Sequence, residues 1–186
     1  MKIFFDAEFN EDGATIDLIS IGLVREDGAA LYLENAECDL TRCDDWLQRN
    51  VIARLDGPKR SRVDMAKEIR AFAGDAPEFW AYYGAYDWVA LNQLYGRLLD
   101  VPKGWPKLCR DLKQEALRFG LALPQPDPAF EHHALYDAQW TFEMYRDYVG
   151  PALAAEAEDR RWLTQWRLGA FARGKSAQQA SGDVQT

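Results

Sequence analysis

The sequence predicts an α/β domain, and three observations predict it. The chain opens with three strand-like runs in quick succession, over residues 2–9, 15–24 and 29–33. Two later strand-like runs, 78–83 and 107–110, are each followed by a run with helical spacing. The segments 65–73, 134–149 and 152–171 carry apolar residues three and four apart, the spacing of one helix face. With 186 residues, 48% of them apolar, the chain has the length of one domain and material for a core.

The first strand, Lys2–Phe9, organises the rest. Its side chains alternate between two faces, so Asp6 and Glu8 point one way and Ala7 the other. Neighbouring carboxylates raise each other's pKa unless a cation lies between them. Hard divalent ions such as Mg²⁺ take carboxylate oxygens. The pair therefore reads as half a metal site, with a solvated acidic edge strand as the plain alternative. Asp-x-Glu alone is too common to decide between them.

Asp12-Gly13 marks a turn. The second strand, TIDLISIGLV, is nearly all apolar in its middle, as in a strand covered on both faces. Asp27-Gly28 signals a hairpin into the third strand, so the opening is a β-meander. Residues 43–51 suit a short helix carrying Trp46 and Leu47. Lys59, Arg60 and Arg62 form a small basic run after Gly57-Pro58. Ser61 or Asp64 caps the helix over 65–73, which turns Ile69 and Phe72 inward.

The strand over 78–83 ends at Gly84, and a helix is expected over 86–99. Asp87 sits in its first turn, where the helix dipole alone favours an acid. A short strand, 107–110, leads to a helix over 111–119 closed by Gly120. Three prolines make 123–128 a loop. The helix over 134–149 carries Asp137 in its first turns, with His132 just ahead of it. Gly150-Pro151 is expected to punctuate the chain. That divides it into a domain over 1–150, a helix within 151–172 used for packing or a subunit contact, and a disordered tail over 173–186.

The net charge of −8 and pI near 4.8 argue at first against nucleic acid as a partner. Bound divalent cations would offset much of that charge. The three cysteines, Cys38, Cys43 and Cys109, lack zinc-site spacing and suit reduced thiols. The chain shows no signal peptide and no apolar run long enough to span a membrane. These features point to a cytoplasmic protein.

Asp6-Ala7-Glu8 on a strand, Asp87 at a strand-to-helix junction, and His132 with Asp137 at a late helix together resemble the DEDDh group of 3′-to-5′ exonucleases. That group includes ribonuclease T and oligoribonuclease. More closely, FFDAEFNEDGATIDLISIGLVREDG, EFWAYYGAYDWVALNQLYG and HHALYDA resemble the polyadenylate-specific 3′-exoribonucleases of mycobacteria. The resemblance covers roughly residues 1–148. Two features depart from the wider group: Ala7 stands where Thr or Ile is usual, and Gly-Ala-Tyr-Asp replaces Asn-x-x-Phe-Asp. The second is shared with the mycobacterial enzymes. By residue type either His132 or His133 suits a proton acceptor, and the family spacing selects His132.

The resemblance implies a ribonuclease-H-like fold, a mixed central sheet flanked by helices. It implies two Mg²⁺ ions, with Mn²⁺ as a substitute, held by Asp6, Glu8, Asp87 and Asp137. Two such ions suit an in-line displacement at phosphorus. His132 would take the proton of the attacking water, so activity is expected to rise from acid to mildly alkaline pH. The substrate is expected to be the 3′ end of single-stranded RNA, released as nucleoside 5′-monophosphates, with adenylate preference implied by the mycobacterial relatives alone. Phe9, Tyr86 and Trp88 are candidates for stacking on bases, and Lys59, Arg60 and Arg62 for the phosphate backbone. A homodimer is expected. The rivals are a proofreading DNA 3′-5′ exonuclease and a non-catalytic RNA-binding protein on the same fold.

Overall fold

The computed structural model describes residues 1–162 and 164. Strands β1 (Lys2–Glu11), β2 (Ile16–Arg25) and β3 (Ala30–Asn35) form the expected antiparallel meander. Three short strands complete a mixed sheet: β4 (Lys59–Arg60), β5 (Glu78–Ala81) and β6 (Arg110–Asp111). The order is β4-β3-β2-β1-β5-β6, with β4, β5 and β6 each parallel to its inner neighbour. The long apolar strands occupy the centre of the sheet and the two-residue strands its edges.

Helices cover both faces. On one side Ile3, Phe5 and Ala7 of β1 meet Met65 and Ile69 of α2 (Arg62–Ala73) and Leu91 of α3 (Ala85–Gln93). On the other, Phe4 and Trp80 meet Leu112 of α4 (Leu112–Arg118) and Ala138 of α5 (Ala134–Met144). A short helix, α1 (Asp45–Asn50), lies beside a third cluster in which Ile19 meets Cys43 and Val51. Ile19 reaches it because β1 and β2 slip register. Glu8 faces Ser20, yet Phe9 faces Leu18, so Ile19 is the extra residue of a bulge.

Two helix ends differ from the sequence expectation. Periodicity alone carries α3 to residue 99, but it stops at Gln93. Gly96 then takes a φ of 106°, and Asp100 accepts from the Arg97 N–H, building a turn that leaves Leu98 and Leu99 exposed. Gly150-Pro151, conversely, does not break the chain: helix continues over 150–162. A π-turn, Tyr145–Val149, precedes the proline, and the Gly150 N–H donates to the Tyr145 carbonyl. The wider turn relieves the clash between a proline ring and the preceding turn of helix.

Leu153 packs on the α4–α5 side, while Trp162 is exposed. Leu163, Trp166, Phe171 and the tail over 173–186 lie outside the described residues. All three cysteines are free thiols. Among the described residues no helix is long and apolar enough to cross a membrane.

Candidate active site

The alternation that buries Phe4 turns Asp6 and Glu8 onto the same face, where α5 crosses the sheet. Gly22 of β2 is the cross-strand partner of Asp6. A Cβ on Gly22 would lie 2.3 Å from the Ala134 carbonyl oxygen and 2.4 Å from the Leu135 Cα. The missing side chain thus lets the start of α5 rest on the strand next to Asp6. Asp137, one turn into α5, is thereby brought to the acidic pair. Carboxylate oxygens of Asp6, Glu8 and Asp137 lie within 4.8 Å of one another.

Asp87 comes from the other side of β1. Strand β5 pairs with β1 only over Lys2, Ile3 and Phe4, and then diverges. The Ala7 N–H finds its partner in Asp87 Oδ1 at 2.8 Å, from the first turn of α3. Asp87 therefore stands beside the three clustered acids without sharing their oxygen cluster.

The electrostatics follow from this crowding. Burial, then the charges of Asp87, Glu8 and Asp137, raise the pKa of Asp6 well above the usual carboxylate range. Burial, with Asp137 and Asp87, raises Glu8 to about 8, against partial relief from Arg54. Burial raises Asp87 to about 6, opposed by its hydrogen bond from Ala7. Asp137 is raised too, mainly by burial, against the hydrogen bond from His132.

The two histidines separate clearly. His132 lines a cleft together with Asp6 and Asp137. Its backbone has a φ of 67°, and its N–H donates to Asp137 Oδ2 at 2.9 Å. Its ring stands edge-on to Trp46, with centroids 4.8 Å apart. His133 is buried at the N-cap of α5, with Nε2 3.1 Å from Asp56 Oδ1 and its ring between Tyr32 and Tyr136. Arg54 donates to the carbonyls of Ala129 and Glu131, anchoring the loop that leads to His132.

Phe9, packed against the Ile3, Phe5 and Ala7 side of the sheet, and Tyr86 meet edge-to-face at 6.0 Å, with Tyr86 half exposed. Trp88 departs from the expected stacking role. Its ring packs against Phe5 and Phe79 and serves the core. The basic run lies at the sheet edge, three strands from β1. Arg60 is paired with Glu68 and Arg62 with Asp17, while Lys59 is exposed.

Sequence reasoning misses Gly22, Arg54 and Trp46. A glycine inside an apolar strand is a readable sign of close backbone approach. Nothing local marks Arg54 or Trp46, whose partners lie more than seventy residues along the chain.

Comparison with known proteins accords with this geometry. The 3′-5′ exoribonuclease Rv2179c-like domain family matches residues 1–149. Over 154 residues the chain is 38% identical to the 3′-5′ exoribonuclease Rv2179c of Mycobacterium tuberculosis strain H37Rv. That alignment covers 78% of this chain and 92% of the relative, and the exoribonuclease MT2234.1 of strain CDC 1551 matches equally. A solved exonuclease I superposes with a TM-score of 0.57 at 14% identity, over 77% of this chain and 39% of that one. Its apo form gives 0.54 at 15% identity, over 77% and 40%. The chain spans about two-fifths of those exonucleases' length, and the likeness is one of fold, the ribonuclease-H-like α/β arrangement. The family match and the long shared alignment with named exoribonucleases place the chain in the Rv2179c-like 3′-5′ exoribonuclease family.

Proposed function

We propose that the protein hydrolyses single-stranded RNA from its 3′ end, releasing nucleoside 5′-monophosphates, with a preference for adenylate-rich ends. The observation that carries this reading is the meeting of Asp6, Glu8 and Asp137 oxygens within 4.8 Å, where burial and mutual repulsion disfavour their charged forms. Hard oxygen donors held together against their own repulsion are a donor set that fits a hard divalent cation. Asp6, Glu8 and Asp137 would hold Mg²⁺, with Mn²⁺ as a substitute, and Asp87 would join them to hold a second ion. Bound there, the cations would stabilise charge developing on the attacking and leaving oxygens of an in-line displacement.

The chain's own groups do the rest. A water oxygen attacks phosphorus, the bond to the 3′ oxygen of the preceding nucleotide breaks, and a ring nitrogen of His132 accepts the water's proton. The His132 backbone N–H, donating to Asp137 Oδ2, ties the residue that accepts the proton to the acidic cluster. Phe9 and Tyr86, the chain neighbours of Glu8 and Asp87, offer aromatic surface to the terminal base. The 2′-hydroxyl separates RNA from DNA. Lys59 serves a longer strand as an outer phosphate contact. The protein works in the cytoplasm as a homodimer, with the helix over 150–162 offering contact surface.

The test is hydrolysis of a 5′-labelled oligoadenylate with Mg²⁺ or Mn²⁺, beside Asp6→Ala, His132→Ala and a matched DNA strand. The expected result is a metal-dependent ladder shortening from the 3′ end, lost in Asp6→Ala and stronger on RNA. Metal-loaded wild type that cuts neither polymer would overturn the reading.

A further inference from the structure

The cleft that holds Asp6, His132 and Asp137 does not end at them. It has a volume of about 380 Å³, within the range of small-ligand sites, and continues to Tyr82, Tyr83 and Lys113. Tyr83 is 64% exposed, with a φ of 58°. A bulky side chain in the left-handed region is kept only where its surroundings over-determine it.

They do so here. The Tyr83 carbonyl accepts from the Ala85 N–H at 2.8 Å. The Gly84 N–H donates to Asp111 Oδ2 at 3.1 Å, and Asp111 Oδ1 accepts from the Gln114 N–H to cap α4. At Gly84 a Cβ would fall 2.4 Å from that of Ala81. One carboxylate thus fastens the turn that presents Tyr83 to the helix that presents Lys113. The Lys113 Nζ lies 5.7 Å from the Tyr83 ring centroid and 5.8 Å from that of Tyr82.

Lys113 makes no ion pair among the described residues. The other charged groups lining the cleft, Asp6, Glu131 and Asp137, are acids. An exposed ring beside a cation that leans on tyrosines and has no acidic partner among the described residues, both on a fixed frame, is what a single-stranded nucleic acid takes: a face for the base and a charge for the phosphate. Phe9 and Tyr86 are not among the residues lining this cleft. They form their own edge-to-face pair, with Phe9 packed on the Ile3, Phe5 and Ala7 side of β1.

We propose that Tyr83 and Lys113 form a subsite for the nucleotide on the 5′ side of the cleaved bond, Tyr83 stacking on its base and Lys113 holding its phosphate. The proposal rests on the exonuclease reading given above.

Two substrates separate the subsites. One is a single-stranded oligoadenylate. The other is the p-nitrophenyl ester of adenosine 5′-monophosphate, which has a terminal nucleotide and a scissile phosphodiester but nothing upstream. For Tyr83→Ala, the ratio of kcat/KM on the oligomer to kcat/KM on the ester should fall about 10-fold, the scale of one lost base–aromatic stack. Tyr83→Phe should restore the ratio to within about 2-fold. Oligomer binding, followed by fluorescence anisotropy without turnover in Ca²⁺, should weaken by a similar factor in Tyr83→Ala. Lys113→Ala should lower the salt slope of that binding by about 0.7, the share of one phosphate contact on a single strand, and Lys113→Arg should keep it.

Equal losses on both substrates would move Tyr83 to the terminal nucleotide and refute the placement. Wild type that binds and cuts the oligomer, with Tyr83→Ala and Lys113→Ala behaving like it, would remove the subsite and leave the exonuclease reading standing. Wild type that does neither would remove both.

Discussion

The two faces of β1 follow the same alternation to opposite ends. On one face Ile3, Phe5 and Ala7 are buried against α2 and α3, and every step adds to the core. On the other, Phe4 begins in the same manner, but the next two positions are Asp6 and Glu8. There burial is unfavourable, because charge is gathered where water is scarce. The core side pulls the strand to the centre of the sheet and thereby forces the acids together. The cluster is thus held by folding energy supplied elsewhere, and its gathered charge lowers stability.

The largest effects should come from exchanging the characters of the two faces. Asp6→Asn keeps the shape and removes a charge. Activity should drop about 10³-fold or more, while metal-free protein gains about 1–2 kcal/mol of stability from lost repulsion. Phe5→Ala should do the reverse. Its ring is fully buried against Phe79 and Trp88, so truncation should cost about 3–5 kcal/mol. Denaturant midpoints in EDTA, alongside exonuclease rates with Mg²⁺, give both quantities. Should Asp6→Asn destabilise the metal-free protein, the contrast between the faces would fail.

Gly22→Ala joins the two effects at one position. The added methyl meets backbone atoms of Ala134 and Leu135, which cannot rotate away. The start of α5 must move, at a cost of about 1–3 kcal/mol. A displacement of about 1 Å in a catalytic group lowers rates about 10²-fold, so activity should fall further than stability alone explains. Rates measured well below the melting temperature separate the two contributions.

The pH dependence of stability sharpens the same comparison. Glu8, at about 8, and Asp87, at about 6, hold protons in the folded state that the unfolded chain has already released. Where the folded state binds more protons, stability falls as pH rises. Metal-free protein should therefore lose stability between about pH 5 and about pH 8, by more than the 1.4 kcal/mol or so that one pKa unit represents. Asp6→Asn should flatten the fall, and saturating Mg²⁺ should reverse it. Urea titrations at several pH values, with and without EDTA, provide the check.

The sequence makes the local part of this arrangement legible. Alternation puts Asp6 and Glu8 on one face, and capping preferences put Asp87 and Asp137 in the first turns of helices, as the structure has them. The meander is legible too, because Asp12-Gly13 and Asp27-Gly28 punctuate it. Long-range features are not. That Asp87 turns toward the Ala7 N–H depends on β5 ending after Ala81, a matter of sheet geometry. The family spacing selects His132 between the adjacent histidines, but that His133 is enclosed by Asp56, Tyr32 and Tyr136 rests on contacts that no spacing encodes. Helix lengths fail for a third reason. Apolar residues at 98 and 99 continue a pattern that Gly96 interrupts, and the π-turn before Pro151 absorbs a break that the proline announces.

The smallest effects should come from the basic run, and they separate charge near the acids from charge far away. Lys59 and Arg60 lie on β4 at the outer edge of the sheet, and Arg62 opens α2. Arg60 and Arg62 are already committed to Glu68 and Asp17. A guanidinium paired with a carboxylate contributes little net field, so Arg60→Ala or Arg62→Ala should leave the salt slope of oligoadenylate binding unchanged within error. Lys59 makes no ion pair among the described residues, and Lys59→Ala should lower the slope by at most about 0.7, and only on oligomers long enough to reach it. Binding titrations with short and long oligoadenylates over a range of salt decide the matter. A drop of that size for Arg60→Ala on the shortest oligomer would bring the sheet edge into the catalytic groove, and the separation between the two regions would go.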